Sequence, residues 1–180
     1  MSKPDSGLFK GTSGIEDFYG DVERVIARRV RGLDLTPHPV KQKQLSSKQN
    51  NKIKSKIAQR KATREEYKRF MWNKRFQTRR RKGVENFWTE EQQRLHRGEK
   101  GTRNWTREQQ QAILNGEKPT FNGRALAGHH TYSATQYPHL ANMAAVIYPA
   151  TFTEHLKGWH GGNYKISLPG KRIRRIEELK

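Results

Sequence analysis

Apolar residues recur at three- and four-residue steps in one early stretch: Ile15, Phe18, Tyr19, Val22, Val25, Ile26 and Val30. That spacing predicts an amphipathic helix, opened by the capping box Ser13-Gly14-Ile15-Glu16 and stopped at Gly32. A flexible leader precedes it. Thr36-Pro37-His38-Pro39 breaks the chain after it, because neither proline nor the residue before one favours helix. From Lys41 to Lys82 apolar positions are sparse at first (Leu45, Ile53, Ile57) and then thicken to Tyr67, Phe70, Met71, Trp72 and Phe76, behind a capping signal at Thr63-Arg64-Glu65-Glu66. Two or three helices are expected there, the last ending near Arg79-Arg80-Arg81-Lys82.

Trp88 to Lys100 repeats as Trp105 to Lys118 with one residue inserted. Each copy offers a tryptophan, a Thr N-cap with Gln at N3, two helical turns and a glycine stop, so two short helices are expected, their tryptophans packing a small core. Two copies are too few for a solenoid. Beyond them, Gly123 and Gly128 bracket a short strand that continues through His129, His130 and Thr131. A turn-rich loop follows to Pro138. Met143 to Tyr148 reads as a second strand stopped by Pro149, and Thr151-Phe152-Thr153-Glu154 is a capping box for a helix from about Phe152 to Trp159. Gly161-Gly162 would end that helix in a left-handed cap. The tail from Lys165 is basic and fits either a closing helix or an ordered arm.

Charge changes the picture. There are 37 Lys and Arg against 17 Asp and Glu, a net +20, with a pI near 10.5. Between Lys41 and Lys82, 17 cations face only Glu65 and Glu66, so this stretch carries +15 of the total. Such an excess exceeds a solvated face and points to phosphate. The contacts expected are Lys52, Lys54, Lys56, Arg60, Lys61, Arg79, Arg80, Arg81 and Lys82. The apolar share is 32%, or about 40% with the 15 glycines, against an ordinary 45–50%, so core is scarce. There is no cysteine, which rules out disulfides and thiolate metal sites. No apolar run is long enough to span a membrane, and no secretion signal is visible after Met1.

The chemistry concentrates in residues 121–164, which hold five of the seven histidines: His129, His130, His139, His155 and His160. Imidazole is the commonest metal ligand. One histidine from a strand and two from a helix at H-x4-H spacing could close three sides of a tetrahedron and leave the fourth open, as a catalytic site requires. Adjacent strand residues point to opposite faces, so His129 and His130 cannot both ligate one ion without a bulge. One ligand and one general base is the economical division.

Gly128-His129-His130, Ser133, Tyr137-Pro138-His139-Leu140-Ala141, Glu154-His155 and Trp159-His160-Gly161-Gly162-Asn163 together resemble the GHH-signature branch of the HNH nucleases, as found in toxin domains at the C-termini of LXG-type polymorphic toxins of Gram-positive bacteria. The resemblance spans roughly Lys41 to Gly170. It implies an α+β, mostly helical fold: a ββα-metal finger with a basic N-terminal helical extension. It makes His129, His155 and His160 the ligands of a divalent ion (Zn2+, Mg2+ or Mn2+) and His130 the base that activates water. Asn142, the one asparagine between His130 and His155, becomes the bracing residue; Glu154, Trp159 and Asn163 support the site. His139 and Asn163 are the alternatives for the third ligand. Where the family leads to expect a further asparagine after Gly-Gly-Asn, Lys165-Ile166 stand instead.

The expected organisation is a leader and junction helix (1–40), a basic helical extension (41–100), the nuclease core (101–170) and a basic tail (171–180). The expected function is a metal-dependent endonuclease of low sequence specificity, with DNA favoured over RNA. By the resemblance it is an antibacterial toxin, secreted as part of a larger protein, delivered to the target-cell cytoplasm and neutralised by an acidic immunity protein. No membrane insertion and no small-molecule cofactor are expected. An RNase toxin of the same fold, or a basic nucleic-acid-binding protein with a structural metal, are the alternatives.

Overall fold

A computed structural model describes residues 21–39, 42–175 and 178. The expected capping box at Ser13–Glu16 lies outside them. Helix α1 (21–29) ends in a turn at Gly32, where φ is +85°. Helices α2 (Ser47–Ala58) and α3 (Arg64–His96) form an antiparallel hairpin, each opened by a reciprocal capping box, on Ser46 and on Thr63. Leu45, Ile53 and Phe76 are buried in this region, and Asn73 accepts from the Leu45 amide. α4 (Arg107–Leu114) is capped by Thr106. Hairpin β1 (Thr120–Phe121) with β2 (Arg124–Ala125) leads to β3 (Ala127–His130), which pairs antiparallel with β4 (Ile147–Ala150). A helical segment over 152–159 closes the finger. The fold is α+β and mostly helical, with two small antiparallel sheets among the described residues.

Three expectations are corrected. The helix does not stop near Arg79–Lys82: α3, 33 residues and about 50 Å long, continues through Gly83 and the first repeat copy as far as His96. Gly83 acts here by its small size. A Cβ at that position would lie 2.2 Å from the Ala141 carbonyl oxygen, so glycine lets α3 press against the loop backbone. Within the continuous helix Thr89 cannot cap; its hydroxyl donates back to the Glu85 carbonyl, and Gln92 reaches across to the Leu114 carbonyl on α4. The two repeat tryptophans do meet, with ring centroids 6.1 Å apart.

The second strand also starts later than expected. Ala144–Val146 is a 3₁₀ turn, and β4 includes Pro149. The Thr131 amide donates to the Val146 carbonyl, so by the alternation of antiparallel pairs Pro149 falls opposite Gly128 where no ladder N–H is needed. Finally, the first strand is divided, because Leu126 turns inward to 2% exposure between β2 and β3.

The core gathers Ile26 and Val30 of α1, Phe87 of α3, Val146, Ile147 and Tyr148 around β4, and Trp159 of the finger. Residues 171–175 form a strap: Arg172 pairs with Glu23 of α1 (2.8 Å, both 7% exposed), and the Ile173 and Arg174 amides donate to the Gly158 carbonyl. Among the described residues no helix is long and apolar enough to cross a membrane.

Candidate active site

β3 delivers the adjacent histidines to opposite faces. His129, across from Tyr148, faces the finger helix and packs on Trp159 with centroids 4.5 Å apart. His130, across from Ile147, faces α3 and the 138–142 loop. The finger helix begins as expected: Thr151 and Glu154 exchange their capping-box bonds. It then widens, so that Glu154–Trp159 is a π-helical turn. His160 donates its amide to the His155 carbonyl five residues back, and Gly162 to that of Leu156. On an α-helix five residues would rotate His160 by about 140° off the His155 face. The i→i+5 turn instead returns it to the same side, a geometry found mostly as single turns at functional sites.

The three histidines meet. Ring centroids are 5.1 Å (His129–His155), 5.0 Å (His129–His160) and 4.8 Å (His155–His160), and their ligating atoms all lie within 4.8 Å of one another. The donor set fits a tetrahedral ion. His155 Nε2 and His160 Nε2 are 3.3 Å apart, the edge of a tetrahedron with Zn–N arms of about 2.0–2.1 Å. His160 Nδ1 donates to the Ile166 carbonyl at 2.7 Å, which fixes the proton there and leaves Nε2 as a lone pair. His129 Nε2 is buried with no hydrogen-bond partner. Burial, then the neighbouring histidines His155, His160 and His130, push the His129 imidazole well below its ordinary pKa. Burial and then His160 push His155 to about 4. Both rings are therefore neutral donors at pH 7.

His130 is prepared differently. Its Nε2 donates to the Ala141 carbonyl at 2.8 Å, so Nδ1 is the free lone pair. Burial lowers its pKa, the Ala141 carbonyl raises it, and nearby Arg80 lowers it; the net direction is down. The ring is thus an unprotonated base at neutral pH, held in orientation by a loop that α3 braces. Arg79 donates to the Pro138 and His139 carbonyls (both 3.3 Å) and to Asn142 Oδ1 (2.9 Å), and Asn86 donates to the Asn142 carbonyl.

Residues 65–151 match the family described as GHH signature containing HNH/Endo VII superfamily nuclease toxin. The chain carries a GHH-signature HNH nuclease toxin domain. The protein is accordingly an HNH-type endonuclease. The match ends at Thr151, so the finger helix that brings His155 and His160 to His129 lies just beyond it. A comparison with curated proteins found no match.

Of the other residues singled out in the sequence, Glu154 accepts from Arg103, which also holds the Pro149 carbonyl and so ties β4 to the finger helix. Trp159 is 1% exposed beneath the triad. Asn163 caps a turn by accepting from the Lys165 amide. His139 is turned to the Asp34 carbonyl. Among the basic residues, Lys56 is paired with Glu66 at 2.6 Å across the α2–α3 hairpin, and Arg81 and Lys82 lie beside Glu85. Lys52, Lys54, Arg60 and Lys61 are exposed. Arg80 is half-buried over Phe76, its Nε without a partner.

Sequence reasoning missed Ala141, Gly83 and Tyr164. Ala141 acts through its backbone carbonyl, which leaves no side-chain signal. Gly83 could be read only as a possible stop. Tyr164, whose ring lies 5.4 and 5.2 Å from His155 and His160, directly follows the quoted Gly-Gly-Asn and was within reach.

The close approach at Gly83 makes a prediction. Gly83→Ala must push the Ala141 carbonyl away, loosening the His130 ring it holds. A stability loss of about 1–3 kcal/mol is expected from overpacking, with a fall in cleavage larger than the loss of folded protein accounts for. Thermal unfolding and initial cleavage rates of the variant check this; wild-type values for both would show that the loop does not need that close fit.

Proposed function

We propose that this endonuclease cleaves DNA without marked sequence specificity, using a zinc ion held by His129, His155 and His160 and His130 as general base. The observation that carries it is the pairing of a pinned, unprotonated His130 with a three-histidine cluster whose buried His129 Nε2 lacks a partner. Three imidazoles suit zinc better than magnesium or manganese, which prefer oxygen ligands. When bound, the ion supplies Lewis-acid neutralisation of the charge on the scissile phosphate.

The chain's own residues do the rest. His130 Nδ1 accepts the proton of the attacking water while the Ala141 carbonyl keeps its ring in place, and the positive charge of Arg80 disfavours protonation of that base. Asn142 and Arg79 brace the loop. The exposed cations of α2 and of the first half of α3 hold phosphates and so position a strand without reading its bases. An extension at 41–100 would thus bind, and the segment from 101 to 170 would cut, with α3 joining the two.

The family is one of toxins, and the likeness to LXG-type toxins supports delivery into a competitor's cytoplasm as part of a larger protein. A nuclease of low specificity needs an inhibitor in the cell that makes it. Against net +20, an acidic immunity protein would associate faster than the neutral rate of about 10⁵–10⁶ M⁻¹s⁻¹.

The test is incubation of purified protein with plasmid and with total RNA, with and without a chelator. Plasmid should be degraded to a smear, chelator should stop it, and zinc should restore it. Degradation of RNA alone would overturn the DNA reading, and chelator-resistant cleavage would overturn the ion.

The ligand set is tested separately. His129→Ala, His155→Ala and His160→Ala should each weaken zinc binding by more than the roughly 10–100-fold typical of losing an outer hydrogen-bond partner. Calorimetric titration reads this directly. Unchanged affinity in His160→Ala would remove it from the set and reduce the π-turn to a packing feature.

A further inference from the structure

A second basic site lies away from the histidines. Between α1 and the 100–104 loop is a cleft of about 720 Å³, bounded below by Tyr148 and Glu154. Five cations and two carboxylates line it. Two of those cations are engaged: Arg24 pairs with Asp21, and Arg103 with Glu154. Arg28, Arg29 and Lys100 make no ion pair among the described residues. The other acids at hand are occupied, Glu90 by Arg94 and Glu91 by Arg94, Thr102 and Trp105. Arg29 is half-buried, and burial, then Arg94, press its pKa down to about 10. A cleft that partly buries one guanidinium and presents three unpaired cations is built for an anion, and forked guanidinium donors match phosphate oxygens.

Its position relates it to the cutting centre. Glu154 lines the cleft and the next residue, His155, belongs to the triad, so both sites flank one helical turn. Along α3, the α2 hairpin is pinned at Asn73 and the cleft lies by Glu90 and Glu91. Asn73 and Glu91 are about 27 Å apart along the helix, with Gly83 and the His130 loop between them. We propose that this cleft is a second phosphate-binding site, gripping a backbone phosphate of the nucleic acid on the far side of the cut from the α2–α3 hairpin. This rests on the DNA reading above; Arg28 and Arg29 on α1 precede the family match, which begins at residue 65, while Lys100 lies within it.

The test uses the full chain silenced by His130→Ala, with anisotropy of a fluorescein-labelled random-sequence duplex read over a range of salt concentrations. Arg28→Gln/Lys100→Gln, both at exposed positions, should lower the slope of log K against log salt by about 0.9, the value for one phosphate that is no longer neutralised. Lys52→Gln/Lys54→Gln in the hairpin serves as the parallel pair, and circular dichroism checks that each variant is folded. A reduced slope in both pairs, additive in the quadruple variant, supports the proposal. An unchanged slope in the cleft pair with a reduced slope in the hairpin pair overturns the cleft and leaves the DNA reading standing. No change in either pair overturns both. Binding of poly-glutamate that depends on Arg28 and Lys100, with duplex binding unmoved, would overturn the phosphate site in favour of an acidic protein.

Discussion

Replacing His130 by alanine should cut phosphodiester cleavage by about 10²–10⁴-fold while fold and zinc affinity stay near wild type. The separation follows from geometry. His130 lies on the face of β3 opposite His129, and its Nε2 is committed to the Ala141 carbonyl, so its loss takes away the proposed base and leaves the three proposed ligands in place. Cleavage of plasmid and a calorimetric zinc titration on the same preparation check both halves. A variant that loses its metal, or that cuts normally, would shift the base to another residue. The wild-type pH profile offers a second reading. A base must be unprotonated to act, and the His130 pKa is lowered, so at saturating metal the acid limb of the rate should fall below the ordinary imidazole value of about 6.5.

Glu91→Ala should destabilise the protein by about 3–5 kcal/mol, the cost of leaving buried charged and polar partners without their acceptor. Glu91 is fully buried and gathers the Thr102 amide (2.6 Å), the Thr102 hydroxyl (2.5 Å), the Trp105 indole (2.7 Å) and Arg94 (2.9 Å). Burial alone would raise its carboxyl, but the hydrogen bonds from Thr102, Trp105 and Arg94 outweigh it and hold the pKa below the ordinary carboxylate value. The sign follows. A group depressed in the folded state stabilises above its unfolded pKa, about 4.3, and that contribution disappears as pH falls through the lower folded value. Denaturant unfolding should therefore show stability lost below about pH 4 in the wild type, with that acid step reduced in Glu91→Ala. Cleavage should weaken too, because the same loop carries Arg103, which ties β4 to Glu154. A variant with the wild-type unfolding midpoint would show that water replaces the carboxylate without cost.

Where a local signal had no tertiary competitor, the chain could be read directly. Thr63, Thr106 and Thr151 each sit at a capping box, and all three boxes form. Thr89 carries the same Thr-x-x-Gln pattern as Thr106 and does not cap. The difference is outside the repeat: Phe87 is fully buried against β4, Gly83 admits the Ala141 backbone, and a helix already enters from Arg64. A motif of four residues cannot report which of its neighbours will be pressed into a core.

By itself the sequence determined the chemistry available: an adjacent histidine pair at a strand end, a second pair on a capped helix, and a cationic run too one-sided for a plain surface. Those depend on residue type and short-range spacing, which act before the chain folds. Only the tertiary structure decided how the pieces meet. The π-turn that brings His160 back beside His155 is fixed by Trp159 sinking into the core and by the 172–174 strap taking up the Gly158 carbonyl. The free nitrogen of His130 is chosen by a backbone carbonyl eleven residues away, which α3 holds in position at Gly83. Both are contacts between segments distant in the chain, and their strength comes from close packing and fixed donor–acceptor geometry, which no local pattern encodes.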